Sequence, residues 1–266
     1  MAEHPTISFL TDYGHADEFV GVCKAVIRQL APTTAVIDIT HDIAPHDIRA
    51  GSLALVRSVQ YLPDGVVLAI VDPGVGTARR AVAVEAGDLV FVGPDNGLLA
   101  PAVAMLGGAL AAVELTNTDF HLAAPGPTFA GRDVFAPVAA NLSAGAAIGD
   151  LGTPIEPVTL LPGVLPLSRE EAGGVVGEGL WVDRYGNVQL NIDPDEISQL
   201  GDVIAIRWGS TTRIARRAQT YGAIRTGEIG LVIDSYGLLS ICLDRRSAAQ
   251  ELGIGTGTGI TLSAPE

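Results

Sequence analysis

The sequence predicts an α/β amino-terminal domain built on a mixed, largely parallel sheet, followed by a smaller all-β, barrel-like domain. Three observations carry that expectation. The first half alternates strand-length apolar runs with amphipathic helical stretches, a Gly- and Pro-rich segment interrupts the pattern near residue 150, and turn-separated β-branched runs follow it.

Thr6 to Leu10 reads as a strand, Phe19 to Leu30 as an amphipathic helix, Ala35 to Ile39 as a strand and Ile48 to Val59 as a second helix. A buried parallel strand then begins at Val66 (VVLAIV), because an apolar run without alternation fits a strand covered on both faces. Short strands are expected at Ala81 to Val84, Leu89 to Val92 and Ala111 to Leu115, and helices at Leu98 to Leu106 and Asp133 to Ser143. Gly149 to Pro166 lacks helical periodicity and reads as a linker. Beyond Gly173 the runs VVGEGLWVD, NVQLNI, VIAIRWG, TTRIARRA, IGLVIDSYG, LLSICLD and GITLS suit a small all-β domain, giving expected domains at 1–160 and 170–266.

Composition narrows the function. With 266 residues, 48% of them hydrophobic and 17% charged, the chain can cover a large core. A net charge of -14 and a single lysine, Lys24, exclude nucleic acid as the partner, since phosphate contacts need clustered bases. Cys23 and Cys242 sit in apolar patterns outside any CxxC pair and read as buried thiols. No apolar run reaches the ~18 residues of a membrane span, and the polar start lacks a signal-peptide pattern, so a soluble cytoplasmic protein is expected.

The most informative stretch is Val71-Asp72-Pro73-Gly74-Val75-Gly76-Thr77-Ala78-Arg79-Arg80. It sets an acid and two bases on a glycine-rich turn at the carboxyl end of a buried strand, where α/β proteins build sites. Asp12, in Thr11-Asp12-Tyr13-Gly14, holds the equivalent place after the first strand and suits a pair of vicinal hydroxyls, whereas Asp17 reads as a helix cap. His41, Asp42, His46 and Asp47 match no metal-site spacing, and Asp47 reads as a cap. Asp95-Asn96-Gly97 is a turn signature in which Asn96 is the residue to face a ligand. Thr128-Phe129-Ala130-Gly131-Arg132-Asp133 enters a helix, and Gly131 would let a ligand approach the backbone. Asp183 and Asn187 flank a Tyr-Gly turn that either closes a hairpin or offers an acceptor and an amide to an amino-acid group.

Taken in order, LTDYG, PHD, VDPGVGTxRR, GPDNGLL, TFxGRD, DRYGNV and SYGLLS resemble the S-adenosyl-L-methionine (SAM) hydrolases, or SAM hydroxide adenosyltransferases, relatives of fluorinases and chlorinases. The resemblance covers essentially the whole chain. It implies an α/β domain followed by a β-rich one, and a homotrimer whose site lies between the first domain of one subunit and the second of the next. Carried over, Asp12 would hold the ribose hydroxyls, and His46 and Asn96 would lie near the nucleoside and nucleophile pocket, with Phe129 and Gly131 beside them. Asp183 and Asn187 would bind the methionine end, and Tyr236 and Arg245 would line the adenine pocket.

The family's water-handling triad is Asp-Arg-His. Asp72 and Arg79 fill the first two places, but Ala130 stands where the family's TFHGRD has histidine. Either an inactivating substitution or a natural member with altered activity explains this, and the intactness of every other motif favours the first. The implied reaction is attack of water at the ribose 5′ carbon, releasing adenosine and L-methionine, with no cofactor. A sulfonium leaves as a neutral thioether, so free hydroxide is unnecessary; transferring a water proton to an ordinary Asp would span roughly 12 pKa units, on the order of 16 kcal/mol. Asp72 is therefore expected to orient water and take its proton late. A bare carboxylate would also repel a halide 4 Å away by about 4 kcal/mol at an effective dielectric of about 20. The alternatives are an adenosyl-halide synthase, which Gly131 favours through its match to the chlorinating type, and a non-catalytic SAM or adenosine binder.

Overall fold

The apolar run after Asp64 forms a fully buried interior strand of the amino-terminal unit in this computed structural model, which describes residues 4–171 and 173–265. The chain divides into two compact units, Met1–Leu165 and Pro166–Glu266. The first contains β1 (Thr6–Thr11), α1 (Phe19–Leu30), β2 (Ala35–Thr40), α2 (Ile48–Ser58), β3 (Gly65–Ile70), β4 (Ala81–Ala86), β5 (Leu89–Pro94), α3 (Ala100–Met105), β6 (Ala111–Glu114), α4 (Ala136–Ser143) and β7 (Thr153–Pro154). The strands lie in the order β2-β1-β3-β5-β4-β6-β7.

The sheet is mixed, and its parallel part is one half: β2, β1, β3 and β5 run parallel, while β5–β4, β4–β6 and β6–β7 are antiparallel. The mixed sheet expected from the sequence is present; β4 and β5 are joined by a short Gly87 turn, which returns the chain antiparallel. β1 and β3 are buried along their whole length. Ile7, Phe9, Leu68 and Ile70 pack with Val20, Cys23 and Ile27 of α1 and Val138 and Leu142 of α4; Leu10, Val67 and Val71 pack with Leu55 of α2 and Val103 of α3. The sheet is thus covered on both faces.

Two local expectations change and one holds. Asp17 does not cap α1: Glu18 holds the cap position, one residue later, with no side-chain bond. Asp47 does cap α2, accepting the Ala50 N–H at 2.9 Å. The helix expected from Asp133 opens as a wide π turn, Gly131–Phe135, before α4, because Pro137 has no N–H to give the Asp133 carbonyl; that carbonyl accepts the Leu122 N–H at 2.8 Å instead.

Residues 149–166 are not a free linker. β7 pairs with β6, the Ile155 N–H donates to the Ala112 carbonyl at 2.9 Å, and Ile155 and Leu160 pack on the core. Two side chains hold the rest: Arg80 donates to the Thr159 hydroxyl at 3.1 Å and to the Thr159 carbonyl, and Asp95 accepts the Leu161 N–H at 2.8 Å. An apolar cavity of about 200 Å³ lies between this segment and α3.

The second unit contains β8 (Arg169–Glu171), β9 (Gly174–Val182), β10 (Val188–Leu190), β11 (Val203–Trp208), β12 (Thr211–Ala218), β13 (Ile229–Ile233), β14 (Leu239–Leu243), α5 (Ala248–Leu252) and β15 (Gly259–Ser263). The order β10-β14-β13-β12-β11-β15-β9 closes through β9–β10 into a seven-stranded barrel, with β8 outside on β9. Val188, Leu190, Ile204, Ile206, Leu231, Ile241 and Leu262 fill its interior. Cys23 and Cys242 are free and buried, and burial pushes both thiols up to about 12. Among the described residues no helix is long and apolar enough to cross a membrane.

Candidate active site

β1 lies between β2 and β3, and the connections through α1 and α2 pass over opposite faces of the sheet, so the winding reverses between β1 and β3. Such a reversal leaves a crevice at the carboxyl ends of the two strands. Thr11 and Ile70 are in register, so Asp12 and Asp72 leave these strand ends side by side. Both face a cleft of about 260 Å³, which His46, Phe129, Ala130 and Gly131 also line.

Asp72 is almost enclosed and paired. The Arg79 Nε donates to its two oxygens at 2.8 and 3.0 Å, and a terminal guanidinium nitrogen donates to the second oxygen. The guanidinium also lies 5.1 Å from the centre of the buried Phe135 ring, which fixes it from behind. Gly76 makes the loop possible: its φ is 77°, and a Cβ there would meet the Pro127 carbonyl at 2.9 Å. Asp12 accepts the His46 N–H at 2.8 Å, and His46 holds a left-handed φ of 69°, so the β1 and β2–α2 loops are tied together at the cleft rim.

Asn96 is placed differently from the expectation. Its amide donates to the Val71 carbonyl at 2.8 Å, its carbonyl accepts the Leu98 N–H at 3.1 Å, and it is not part of the cleft lining. It ties the β5 turn to the residue before Asp72 and so positions the Asp72 loop.

The sequence reading missed Tyr13, Phe19, Pro45, Val75 and Thr128, which also line the cleft. Tyr13 had a signal, its place in the LTDYG motif beside Asp12. Its ring lies 5.8 Å from Phe129 and 5.7 Å from Phe19, forming an aromatic wall. Burial, aided by the charges of Asp12 and Asp72 and opposed by Arg79, holds the Tyr13 phenol well above its ordinary range, so it carries its proton.

In the barrel unit, Asp183 accepts the N–H groups of Tyr185 and Asn187 at 2.9 and 2.8 Å and the Asn187 amide at 2.7 Å. The pair therefore closes the β9–β10 turn. Tyr236 is partly exposed, on a turn whose Asp234 accepts its N–H at 2.8 Å. Arg245 has a left-handed φ of 51° and a side chain almost wholly in solvent. Among the described residues no group of three His, Cys, Asp or Glu side chains could hold a metal ion.

Residues 7–152 match the family model of the SAM hydroxide adenosyltransferase N-terminal domain, and residues 177–261 match that of the C-terminal domain. The chain belongs to the SAM hydroxide adenosyltransferase family. Within it, the chain is 47% identical over 264 residues to a protein of Salinispora tropica named (R)-S-adenosyl-L-methionine hydrolase, covering 99% of this chain and 100% of that one. A Thermus thermophilus protein of the same name is 39% identical, covering 96% and 98% of the two chains. A fluorinase of Actinopolyspora mzabensis is 25% identical over 97% of each chain. Among solved structures, an uncharacterized conserved protein from Thermotoga maritima superposes with a TM-score of 0.86 at 37% identity, covering 96% of this chain and 99% of that one. The adenosyltransferase fold thus runs through both units.

Proposed function

We propose that the chain hydrolyses S-adenosyl-L-methionine to adenosine and L-methionine. The observation that supports this best is the Asp72–Arg79 pair facing the Asp12 cleft in a chain that matches hydrolases end to end. In this reading Asp12 accepts the ribose hydroxyls with the carboxylate capacity that the His46 N–H leaves free. Asp72, steadied by Arg79, orients the attacking water and receives its proton as the 5′ carbon–sulfur bond breaks. The thioether leaves uncharged, and positioning supplies much of the rate.

His46, Phe129 and Gly131 bound the nucleoside, and Asn96 acts through the Asp72 loop. Asp183 and Asn187 receive the methionine amino-acid group, and Tyr236 and Arg245 the adenine. We place the complete site in a homotrimer, with the barrel groups supplied by the neighbouring subunit. SAM is substrate, no cofactor or metal takes part, neither nucleic acid nor membrane is a partner, and the location is cytoplasmic.

A halide-using reaction is the second reading, favoured by the fluorinase relative. Arg79 softens the case against it, because a halide would meet an ion pair, with less repulsion than a bare carboxylate gives. Chromatography of SAM incubated with the protein, with and without chloride, separates the readings. Hydrolysis predicts adenosine in both, and a 5′-chloro nucleoside would establish the second. Assaying both sulfonium epimers identifies the one turned over. Ala130→His should raise the rate by about tenfold or more through an added contact to the water; no gain would remove Ala130 from the account. Calorimetric binding without turnover in either chain would make it a SAM-binding protein.

A further inference from the structure

We infer that Tyr13 is a catalytic residue, its hydroxyl donating the hydrogen bond that aims the attacking water; this rests on the hydrolytic reading above. The phenol lines the same cleft as Asp72 and Asp12 and lies within the electrostatic reach of both, and of Arg79. Its hydroxyl occupies the space directly over Gly131: a Cβ at residue 131 would overlap the oxygen and come within 3.1 Å of the ring carbon that bears it. The absence of a side chain at 131 is therefore what admits this hydroxyl. Ala130 beside it carries only a methyl, so no polar group from residue 130 competes for the water.

The position is enforced from three sides. The Tyr13 N–H donates to the Thr11 hydroxyl at 3.1 Å, the Gly14 N–H donates to the His41 carbonyl at 2.8 Å, and Phe19 and Phe129 hold the ring. The other hydroxyl lining the cleft, Thr128, lies on an exposed loop without such support. A protonated phenol is a donor. It can occupy one lone pair of a water while the other points at the 5′ carbon and a hydrogen points at Asp72. The oxygen–carbon bond forms as the carbon–sulfur bond breaks, the sulfur keeps the electron pair, and the water proton passes to Asp72. Tyr13 keeps its own proton throughout.

The test compares adenosine release by the unaltered chain, Tyr13→Phe and Gly131→Ala, with SAM affinity measured by calorimetry and folding by thermal denaturation. Tyr13→Phe should lower kcat about a hundredfold, the cost of a misplaced nucleophile, with SAM affinity changed less than about twofold. Gly131→Ala, which displaces the hydroxyl, should reproduce the kcat loss. A Tyr13→Phe rate within twofold of the unaltered chain overturns the role of Tyr13 and leaves SAM hydrolysis standing. No adenosine from the unaltered chain overturns the hydrolytic reading, and this inference with it.

Discussion

Arg79 and Arg80 are neighbours in the chain, and each holds an aspartate, yet the two ion pairs have different duties. Arg79 grips Asp72 at the cleft, with the Phe135 ring behind it. Arg80 grips Asp95 at 2.9 Å and extends to Thr159, while Asp95 reaches Leu161. The second pair joins three chain segments, and its hydrogen bonds run to protein groups on all of them. The first faces a space that a ligand can enter. Similar burial and the same residue types therefore give no guide to role; what the remaining lone pairs face does.

Asp72→Asn makes the sharpest test of that difference. The amide keeps an acceptor for Arg79 but cannot take a proton from water, so adenosine release should fall about a thousandfold, close to 4 kcal/mol of barrier. Arg79 keeps one acceptor and some access to solvent, so the stability cost should be about 1 kcal/mol. A variant that hydrolyses SAM at the parental rate would remove Asp72 from the chemistry.

Asp95→Asn should do the reverse. It leaves Arg80 and the 153–165 segment without their buried anion, costing about 3 kcal/mol, or on the order of 5–10 °C in the melting temperature of this unit. At permissive temperature the rate per folded molecule should stay within about threefold of parental, since Asp95 lies outside the cleft lining. Equal losses of stability from Asp72→Asn and Asp95→Asn would erase the distinction.

Legibility in the sequence follows the same division. Asp72 and Asp12 could be placed because a buried strand announces itself by unbroken apolar character and its end by Pro, Gly or a charge. Asp47 could be read as a cap from its own neighbourhood. Asp95 and Asn96 could not be assigned: Asp-Asn-Gly satisfies a local turn rule, while the partners that decide the matter are the Leu161 N–H, 66 residues away, and the Val71 carbonyl, 25 away. The Gly- and Pro-rich run at 149–166 reads as a linker for the same reason, since its attachment lies in Arg80. Gly131 shows the limit most plainly. Sequence marks it as room for a ligand, but its space holds the hydroxyl of Tyr13, from the far end of the same unit.

A last test acts on the cleft side alone through pH. The buried His41 ring lies behind the Asp12–Tyr13 loop: its Nδ1 meets the Thr11 hydroxyl at 2.9 Å and its Nε2 meets Asp38 at 3.1 Å. The Asp38 carboxylate assigns the proton to Nε2, leaving Nδ1 to accept from Thr11, whose oxygen accepts the Tyr13 N–H. Burial, the largest influence, holds this histidine below its ordinary 6.5 despite Asp38, with Lys24 and His15 adding to the lowering. The unfolded chain therefore takes up the proton first as pH falls. The stabilising contribution is complete above about pH 6.5 and is lost toward the lower folded-state value, with a ceiling of about 1.4 kcal/mol per pH unit for one proton. Burial lowers His121 too, so His41→Gln should flatten but not abolish the slope between pH 8 and 5 in denaturant unfolding. Hydrolysis should weaken over the same range in the parent, because a proton on Nδ1 reverses the hydrogen bond from Thr11 and disturbs the support of Tyr13. Identical stability profiles for parent and His41→Gln would show that His41 takes up its proton equally in both states, leaving the cleft side without this sensitivity.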